Sequence, residues 1–498
     1  MTERHLASID WAAAAAAQPL PSGLVIGGDV VPAQRRHTLI TPRDGGALGE
    51  VPWAGPIDAD RAVAAARQAF DTGPWPRMHP RERGDILLRV ADELERHRDE
   101  LALLVSMEMG KPIRQAWSIE LKTFIRTWRY YGELADKGHG EITPTGPGEL
   151  ALVTREPAGV VAAVVPWNFP LTLAGWKVTP ALAAGCTVVL KTSELAPLSM
   201  LRVGELALAA GLPQGVLNVL TGDGEQVGRR LGEHLDVDVL TFTGSTAVGR
   251  HFLRYAANSN LKRVYLELGG KSPNIIFPDA PDLQQAASMA AWAIFFNSGE
   301  MCTAGSRLIL HRDIADTALD MVLAATADWA PGDPLDPVTT MGPMVNEASL
   351  TRVLGQLEEG LADGAELLAG GQRIGDGSAG PYMQPTVVAG LTQENILVRE
   401  ELFAPVLSTF IVDSEQEAVA VAGNTAYGLA GAVWTSDLGR ALRVSRAIRA
   451  GTVWVNCYEE GDLSVPFGGV KLSGFGRDKS AHAMAGYTDL KTTWIVHG

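Results

Sequence analysis

Short apolar runs alternate with longer amphipathic segments through the first half of the chain. The runs are rich in β-branched residues, and the strands they predict are 160–165, 187–190, 216–220 and 239–242. The segments between them have helical periodicity, and the helices they predict are 171–184, 199–210 and 225–232. Continuous apolar strands separated by helices are typical of a parallel sheet that is covered on both faces. The pattern therefore predicts a doubly wound α/β unit of the kind that binds nucleotides.

The same alternation begins again after Gly270 and predicts a second α/β unit. Its strands are predicted at 274–277 and 306–310, and its helices at 282–296 and 313–328. The last apolar stretch, 487–496, has the pattern of an extended strand without a sheet of its own nearby. We expect this tail either to add to a neighbouring sheet or subunit, or to fray.

Helices are also predicted upstream of the first sheet. An alanine-rich stretch runs to Phe70, with Asp58 as a plausible cap, and the segment 80–104 combines helical periodicity with many charges spaced four residues apart. The alanines of 11–17 follow Asp10, which favours the start of an N-terminal helix over a secretion signal.

Composition and charge narrow the class of protein. The chain has 498 residues, of which 46% are hydrophobic and 20% charged, so it has enough apolar material for two or three structural units. This mix excludes a disordered, collagen-like or coiled-coil protein. The net charge of −15 argues against nucleic acid as a partner. An acidic surface favours a cationic small molecule, although the same charge also serves plain solubility.

The cysteines are few and widely spaced, at Cys186, Cys302 and Cys457. An odd count without CxxC or Cys/His spacing indicates neither a disulfide framework nor a metal site. A reducing cytoplasm is therefore the expected compartment. No apolar run reaches the roughly 18 residues needed to cross a membrane, so we expect no membrane partner.

Two weak motifs follow predicted strands and suit a dinucleotide. In 242–249 a strand runs into a glycine turn and a helix, whose first N–H groups could bind a phosphate around Gly244. A strand–helix turn also needs glycine for steric reasons alone. Glu194, after the strand ending at Lys191, could accept the ribose hydroxyls of adenosine and would repel a 2′-phosphate, which favours NAD over NADP. The alternative is a surface Lys/Glu pair.

Three residues could carry reactive chemistry. Cys302 lies between an aromatic pair and a small-residue turn, and a thiol is a strong nucleophile unless it is buried and inert. Glu267 ends an apolar strand at Gly-Gly; burial would raise its pKa and make it a general base, unless it merely pairs with Lys271. Asn168 lies on a loop stiffened by two prolines and could polarise a carbonyl oxygen, or could only cap the next helix.

In their order along the chain these motifs resemble the aldehyde dehydrogenase superfamily. The segments that carry the resemblance, from about residue 27 to the C-terminus, are PWNFP, WKVTPALAAGCTVVLKTSE, FTGSTAVG, LELGGKSP, NSGEMCTAGSR, GDPLDP, MGPMVN, EELFAPV and PFGGVKLSGFGRD. The resemblance implies an α/β fold with a Rossmann-like dinucleotide-binding domain at 1–138 and 160–268. It also implies an α/β catalytic domain at 269–483 and a small β oligomerisation element at 139–159 and 484–498. NAD and an aldehyde are the implied partners, with no metal.

The resemblance also assigns roles. It implies Cys302 as the nucleophile, Glu267 as the base that activates water, and Asn168 with the Cys302 backbone N–H as the oxyanion hole, with Lys177 supporting Glu267. The implied cofactor contacts are Trp167, Lys191, Ser193, Glu194, Gly244, Ser245, Glu401 and Phe403. The tail strand of the family reaches a partner subunit, so a homodimer or homotetramer is expected.

A closer resemblance is to the bacterial dehydrogenases of γ-glutamyl-γ-aminobutyraldehyde and 4-guanidinobutyraldehyde. Many aldehyde dehydrogenases have Glu-x-Gly after Gly-Arg, where this chain has Asp478-Lys479-Ser480, as this subgroup does. Acids at the expected tunnel mouth could attract an ammonium or guanidinium group, or could be a solvated loop. The predicted substrate contacts are Phe169, Trp176, Met301, Trp454 and Phe467 as walls, and Glu120, Glu459, Glu460 and Asp462 as acids.

Rival interpretations remain open at this point. The aldehyde could be betaine aldehyde, a semialdehyde or a simple aliphatic one, although a semialdehyde acid would favour a basic residue at the mouth. An acyl-CoA-forming enzyme is disfavoured by Glu267, since a hydrolytic base would destroy the thioester. A non-catalytic homologue is disfavoured because Cys302, Glu267 and Asn168 are all present.

Overall fold

The structure is a computed structural model that describes residues 2–375 and 379–498. The strands are β1 Leu24–Ile26, β2 Asp29–Val31, β3 Arg35–Ile40, β4 Ala47–Trp53, β5 Glu141–Thr143, β6 Glu149–Pro157, β7 Val160–Val164, β8 Thr187–Lys191, β9 Leu217–Leu220, β10 Val239–Thr243, β11 Arg263–Glu267, β12 Pro273–Ile276, β13 Arg307–His311, β14 Glu366–Ala369, β15 Thr386–Ala389, β16 Val406–Val412, β17 Ala430–Trp434, β18 Thr452–Val455, β19 Gly474–Phe475 and β20 Thr488–Val496. The α-helices are α1 Thr2–Leu6, α2 Trp11–Ala17, α3 Pro56–Asp71, α4 Pro80–Arg96, α5 Arg98–Met109, α6 Ile113–Gln115, α7 Leu121–Leu134, α8 Pro170–Ala184, α9 Leu198–Ala209, α10 Arg229–Glu233, α11 Thr246–Ala257, α12 Leu283–Phe295, α13 Ala315–Thr326, α14 Glu347–Ala362, α15 Ile396–Arg399, α16 Glu415–Gly423, α17 Leu438–Ala447 and α18 Ser480–Gly486.

The first sheet has the strand order β19-β11-β10-β7-β8-β9-β1-β2. Its centre, from β11 to β9, is parallel. Alternate residues of the central strand β7 enter different cores: Val161 and Ala163 pack with Trp128 on one face, while Ala162 packs with Val63 on the other. Both faces are therefore covered, which confirms the α/β fold predicted from the continuous apolar runs.

The second sheet has the order β14-β15-β16-β13-β12-β17-β18 and is parallel except for β14. It contains the predicted strands after Gly270, and α12 begins where Asp282 accepts a hydrogen bond from the backbone N–H of Gln285. The domain boundaries stay a prediction. One strand crosses them, because β19 lies in the predicted catalytic range and pairs with β11 of the first sheet.

The tail strand β20 pairs antiparallel with β6 over its full length, in a three-stranded sheet of order β20-β6-β5. The tail thus adds to a sheet formed by its own chain. One face of β20 exposes large apolar side chains, with Leu490 at 62%, Trp494 at 57% and Val496 at 73% exposure. No helix among the described residues has the length and apolarity needed to span a bilayer.

Of two local predictions upstream of the first sheet, Asp58 as a cap of its helix is confirmed, and a single helix over 80–104 was wrong. The N-cap of α3 is Gly55, and the Asp58 side chain reaches back to accept a hydrogen bond from the Gly55 backbone N–H at 3.0 Å. The predicted helix 80–104 is two helices, α4 and α5, separated by His97 at φ −103° and ψ 20°. The side chain of His97 is held by Glu93 and Glu100, at 3.1 and 2.8 Å.

Candidate active site

The loop between α12 and β13 carries Cys302 and has an unusual backbone. Asn297, Ser298 and Gly299 have consecutive positive φ angles of 53°, 57° and 71°. Buried hydrogen bonds hold this conformation: Asn297 Nδ2 donates to the carbonyl oxygens of Glu300 at 3.1 Å and Asn168 at 3.3 Å. Left-handed residues outside glycine are rare and persist where the surroundings fix them. The strained loop therefore gives the thiol a defined position and ties it to the Asn168 loop.

The Cys302 side chain lies in the wall of two cavities. One, the tail cavity, has a volume of about 250 Å³ and aromatic and apolar walls that include Phe169, Trp176, Trp292, Phe296, Met301 and Phe467. The other, the sheet-edge cavity, has a volume of about 280 Å³ and lies against the turn that follows β10. A nucleophile shared by two such cavities can contact a molecule in either one.

The resting thiol of Cys302 is neutral. Burial raises its pKa above the usual range, and the carboxylates of Glu459, Glu401 and Glu267 raise it further. Each negative charge disfavours a nearby thiolate. The thiolate that chemistry requires must therefore be generated by a positive group or by proton loss when the site is occupied.

Asn168 and Cys302 both line the sheet-edge cavity. Its side-chain Nδ2 donates to the Glu300 carbonyl oxygen at 2.9 Å, which leaves a second N–H of the same amide for a ligand. The alternative of a helix cap does not apply, because Phe169 is the residue that precedes α8 and no side chain caps that end in the N-cap position. The amide is 3% exposed, so a ligand oxygen would meet it in a desolvated setting.

Glu267 ends β11 and is buried, and neither of its carboxylate oxygens has a hydrogen-bond partner in the described structure. Burial raises the pKa of this carboxyl well above its ordinary range, and Asp478 raises it further, whereas Lys177 and Arg477 lower it. The ammonium of Lys177 bonds directly to Asp478, at 2.8 Å, so its effect on Glu267 is electrostatic. The alternative pairing of Glu267 with Lys271 is absent among the described contacts, since the Lys271 ammonium lacks a hydrogen-bond partner.

Glu267 does not line the cavities that share Cys302. It lines a third cavity, of about 500 Å³, together with Asp478 and Tyr487. Gly468 leaves room for its carboxylate, because a Cβ there would lie 2.6 Å from Oε1. Neither oxygen has a side-chain partner among the described residues, so no ion pair has to break when the side chain changes rotamer.

The residues that line the sheet-edge cavity suit the binding of an anion and of an aromatic ring. Gly244 and Ser245 line it, and Ser245 is the N-cap of α11, whose first turn has N–H groups without helical partners. The Gly244 N–H itself donates to the Glu267 carbonyl oxygen at 3.1 Å. The Glu401 carboxylate accepts a hydrogen bond from the Gly270 N–H at 2.9 Å, and burial raises the pKa of Glu401 to about 7. The rings of Trp167 and Phe403 pack edge to face, with their centroids 5.7 Å apart.

Lys191, Ser193 and Glu194 lie at the carboxyl end of β8, outside the lining of the sheet-edge cavity. The ammonium of Lys191 contacts the Glu194 carboxylate at 3.2 Å. The Ser193 hydroxyl accepts a hydrogen bond from the Leu195 N–H at 3.2 Å. Since β8 is two strands from β10, this group lies roughly 10 Å along the same sheet edge from the glycine turn.

The predicted substrate residues divide into two groups. Those that line the tail cavity are Phe169, Trp176, Met301, Trp454, Glu459, Glu460 and Phe467. One carboxylate oxygen of Glu459 is buried there without a hydrogen-bond partner. Glu120 and Asp462 do not line the cavity, and their roles as substrate contacts stay predictions.

Glu120 is a buried structural carboxylate. It pairs with Lys111, and it accepts a hydrogen bond from the Leu171 N–H at 3.0 Å at the start of α8. Its negative charge thus offsets both a buried cation and the open N–H groups of a helix end. Asp462 is 58% exposed and lies 3.7 Å from Arg126, so it faces solvent.

Sequence reasoning missed two charged residues that line the cavities. Lys479 lines the tail cavity and Arg352 lines the sheet-edge cavity. The signal for Lys479 was present in the departure of Asp478-Lys479-Ser480 from the common Glu-x-Gly pattern. Nothing comparable marked Arg352, because its helix α14 is separated by about 50 residues from the cavity loop around Leu402, to whose carbonyl it donates.

Comparison with known proteins adds independent evidence. The family model described as the aldehyde dehydrogenase family matches residues 30–493. The NADP/NAD-dependent aldehyde dehydrogenase PuuC of Escherichia coli K12 is 46% identical over 497 residues, which cover 99% of both chains. The aminoacetaldehyde dehydrogenase of Pseudomonas aeruginosa is 46% identical over 498 residues, with 99% of both chains covered.

Solved structures agree. A γ-glutamyl-γ-aminobutyraldehyde dehydrogenase from Burkholderia cenocepacia J2315 is 50% identical, with a TM-score of 0.96 over 99% of this chain and 100% of that one. The indole-3-acetaldehyde dehydrogenase AldA of P. syringae, in a complex with NAD+ and IAA, is 48% identical, with a TM-score of 0.96 over 98% and 99% of the two chains. The shared fold, the identity along nearly the whole chain and the position of Cys302 lead to one conclusion. This chain belongs to the aldehyde dehydrogenase family.

Proposed function

We propose that the chain is an NAD-dependent dehydrogenase that oxidises an aldehyde with a charged tail to the carboxylic acid. The observation that carries this proposal is the position of Cys302 in the common wall of the tail cavity and the sheet-edge cavity. An aldehyde in the first cavity and a nicotinamide in the second would meet at this sulfur. Relatives named as acting on amino aldehydes support the substrate class.

The residues of the sheet-edge cavity fit NAD. The turn at Gly244 and Ser245 leads into the first turn of α11, whose open N–H groups suit a pyrophosphate, and Lys191 with Glu194 lies where an adenosine ribose would reach. Glu401 and Phe403 line the same cavity as Cys302, where they suit a ribose and an aromatic ring. When bound, NAD+ supplies the acceptor for a hydride. Relatives solved with NAD+ support this assignment.

Cys302 performs the first step by adding its sulfur to the aldehyde carbon. The carbonyl oxygen becomes an oxyanion, which the second N–H of the Asn168 amide and the Cys302 backbone N–H stabilise. One such donor is worth about 3 kcal/mol in the transition state. Loss of the hydride from this carbon leaves a thioester on Cys302.

Glu267 performs the last step by removing a proton from a water molecule that attacks the thioester. Its raised pKa makes it a stronger base than an exposed carboxylate. Its carboxylate must turn from the third cavity toward Cys302, and the lack of polar partners permits this. Hydrolysis releases the carboxylic acid and restores the thiol.

The tail cavity supports an amine on the substrate. The unpartnered, buried oxygen of Glu459 is an acceptor for an ammonium or guanidinium group, and the aromatic walls suit an alkyl chain. A betaine or simple aliphatic aldehyde would leave the Glu459 oxygen without a donor. Amino, γ-glutamylamino and guanidino aldehydes are therefore the favoured substrates.

We also propose that the first sheet belongs to the cofactor domain, that the second belongs to the catalytic domain, and that the protein is a homodimer or homotetramer. The exposed apolar side chains along β20 support oligomerisation, because an edge strand with such residues is normally covered. A reducing compartment such as the cytoplasm suits the mechanism, since Cys302 must remain a thiol.

Steady-state kinetics test the proposal. Purified protein is assayed with 4-aminobutyraldehyde and hexanal, with NAD and NADP side by side, and NADH and acid formation are measured. We expect NAD-dependent turnover that is lost in Cys302→Ala and retained in Cys457→Ala, a matched variant outside both cavities. Absence of turnover in the wild type, or acyl-CoA formation when coenzyme A is added, would contradict the proposal.

A further inference from the structure

A basic residue lies in the same cavity as the acids. Lys479 lines the tail cavity, half-buried, and its Nζ lies 5.5 Å from the centre of the Trp176 ring. Trp176 is itself a wall of that cavity. The amine therefore points along the space in which the substrate tail would lie.

The ammonium of Lys479 has no hydrogen bond or ion pair within the described part of the chain. Glu459 lines the same cavity, yet its carboxylate oxygens lie more than 4.0 Å from the Lys479 ammonium, too far apart for an ion pair. Opposite charges that share a half-buried cavity normally pair, because an unpaired charge there is costly. Keeping them apart leaves each one with capacity for a ligand group.

The backbone holds Lys479 firmly at this position. Its neighbour Asp478 exchanges two backbone hydrogen bonds of 2.8 Å with Phe467, another wall residue of the cavity. Asp478 is also fixed by its 2.8 Å ion pair with Lys177. Lys479 has a φ of 63° and a ψ of 171°, a strained conformation for a residue with a side chain.

We propose that Lys479 is a specificity-determining residue that binds a carboxylate on the tail of the substrate, while Glu459 binds an amine on the same tail. The inference rests on the proposed aldehyde oxidation and narrows its substrate class. Among amino, guanidino and γ-glutamylamino aldehydes, the γ-glutamylamino aldehyde carries both groups. The tail cavity thus selects an aldehyde that ends in an amino-acid head.

A matched set of four aldehydes tests the pairing. They are γ-glutamyl-γ-aminobutyraldehyde, its analogue without the α-carboxylate, its analogue without the α-amine, and hexanal. In Lys479→Met we expect kcat/KM to fall about 10- to 100-fold for the two aldehydes that carry the carboxylate, because a charge-assisted hydrogen bond is lost. The other two should change by less than about 3-fold. Lys479→Arg should recover most of the loss.

Inhibition of the wild type gives a second measurement that does not depend on a variant folding. γ-Glutamyl-n-butylamide, which has the head group with its α-amine and α-carboxylate but no aldehyde, should inhibit at a concentration at least about 10-fold lower than its analogue without the carboxylate. Equal inhibition by both, or an equal loss for all four aldehydes in Lys479→Met, overturns the inference. If hexanal is turned over in the same assays, the proposed aldehyde oxidation is supported whatever the role of Lys479. If no aldehyde is turned over, both the proposed oxidation and the role of Lys479 are overturned.

Discussion

The buried carboxylates at the helix N-termini differ from those around Cys302. Glu120 and Glu108 occupy the first region: Glu120 caps α8 and pairs with Lys111, and Glu108 accepts hydrogen bonds from the Leu198 N–H and the Ser199 hydroxyl at the start of α9. Among the described residues Glu267 has no such partner, and one oxygen of Glu459 has none. Buried polar groups are normally satisfied, so an unpartnered carboxylate that also lines a cavity is a candidate for chemistry. Glu300 also has an unpartnered oxygen but lines none of the three cavities, so lack of a partner together with access to a cavity separates the reactive acids from the structural ones.

The largest expected effect follows from removing the charge of an unpartnered carboxylate. In Glu267→Gln we expect kcat to fall about 10²- to 10⁴-fold, the usual contribution of a general base. The thermal midpoint should change little, because Glu267 forms no ion pair among the described residues and a glutamine oxygen can replace the carboxylate oxygen next to the Gly469 N–H. Rapid mixing should still show one equivalent of NADH per site, since thioester formation precedes hydrolysis. A stable variant with unchanged kcat would remove Glu267 from the reaction.

Removing a partnered carboxylate should have the opposite result. Glu120→Gln leaves the ammonium of Lys111 buried without its anion, which costs about 3–5 kcal/mol of unfolding free energy. Thermal unfolding measures this loss, and the double variant with Lys111→Met should recover part of it. If Glu120→Gln instead lowers kcat/KM selectively for cationic aldehydes at normal stability, then Glu120 contacts the substrate and the comparison fails.

A pH series sharpens the comparison further. Burial raises the pKa of Glu108 from 4.5 to about 8, in spite of its hydrogen bonds. Between these values the folded state holds a proton that the unfolded state releases, so stability is complete below about 4.5 and declines as pH rises through about 8. Glu267 and Glu300 have raised pKa values of the same sign. Urea midpoints against pH should therefore fall less steeply in Glu108→Gln than in the wild type; parallel slopes would show that Glu108 is ionised in the folded protein.

Much of the fold and of the reactive residues could be predicted from sequence, because both depend on local patterns. The buried strands were visible as continuous apolar runs, and the loops of Cys302 and Asn168 as motifs. The partners of acids could not be predicted in this way. Lys111 precedes α6 and Glu120 precedes α7, and the two pair at the start of α8. Lys479 lines the tail cavity from a position with a strained backbone conformation.

The domain picture shows the same limit. A hydrophobic run identifies a strand, but it does not identify the sheet that the strand joins. The short strand β19 follows the second sheet in the chain and pairs with Glu267 on the first. This pairing fixes the backbone of the base, and it depends on packing between distant segments. Sequence periodicity therefore could not predict the pairing of β19 with β11.

The smallest effect is expected for an acid that is neither buried nor shared with a cavity. Asp462 is 58% exposed and pairs with Arg126 at 3.7 Å, an arrangement worth about 0–1 kcal/mol and weakened by salt. Asp462→Asn should change kcat/KM for 4-aminobutyraldehyde by less than about 2-fold, whereas Glu459→Gln should lower it about 10-fold or more, because Glu459 alone of the two lines the tail cavity. Kinetics at low and high salt separate direct contact from long-range attraction. Equal losses in both variants that disappear at high salt would mean that the acids act as a diffuse field, and that the unpartnered oxygen of Glu459 is not a binding site.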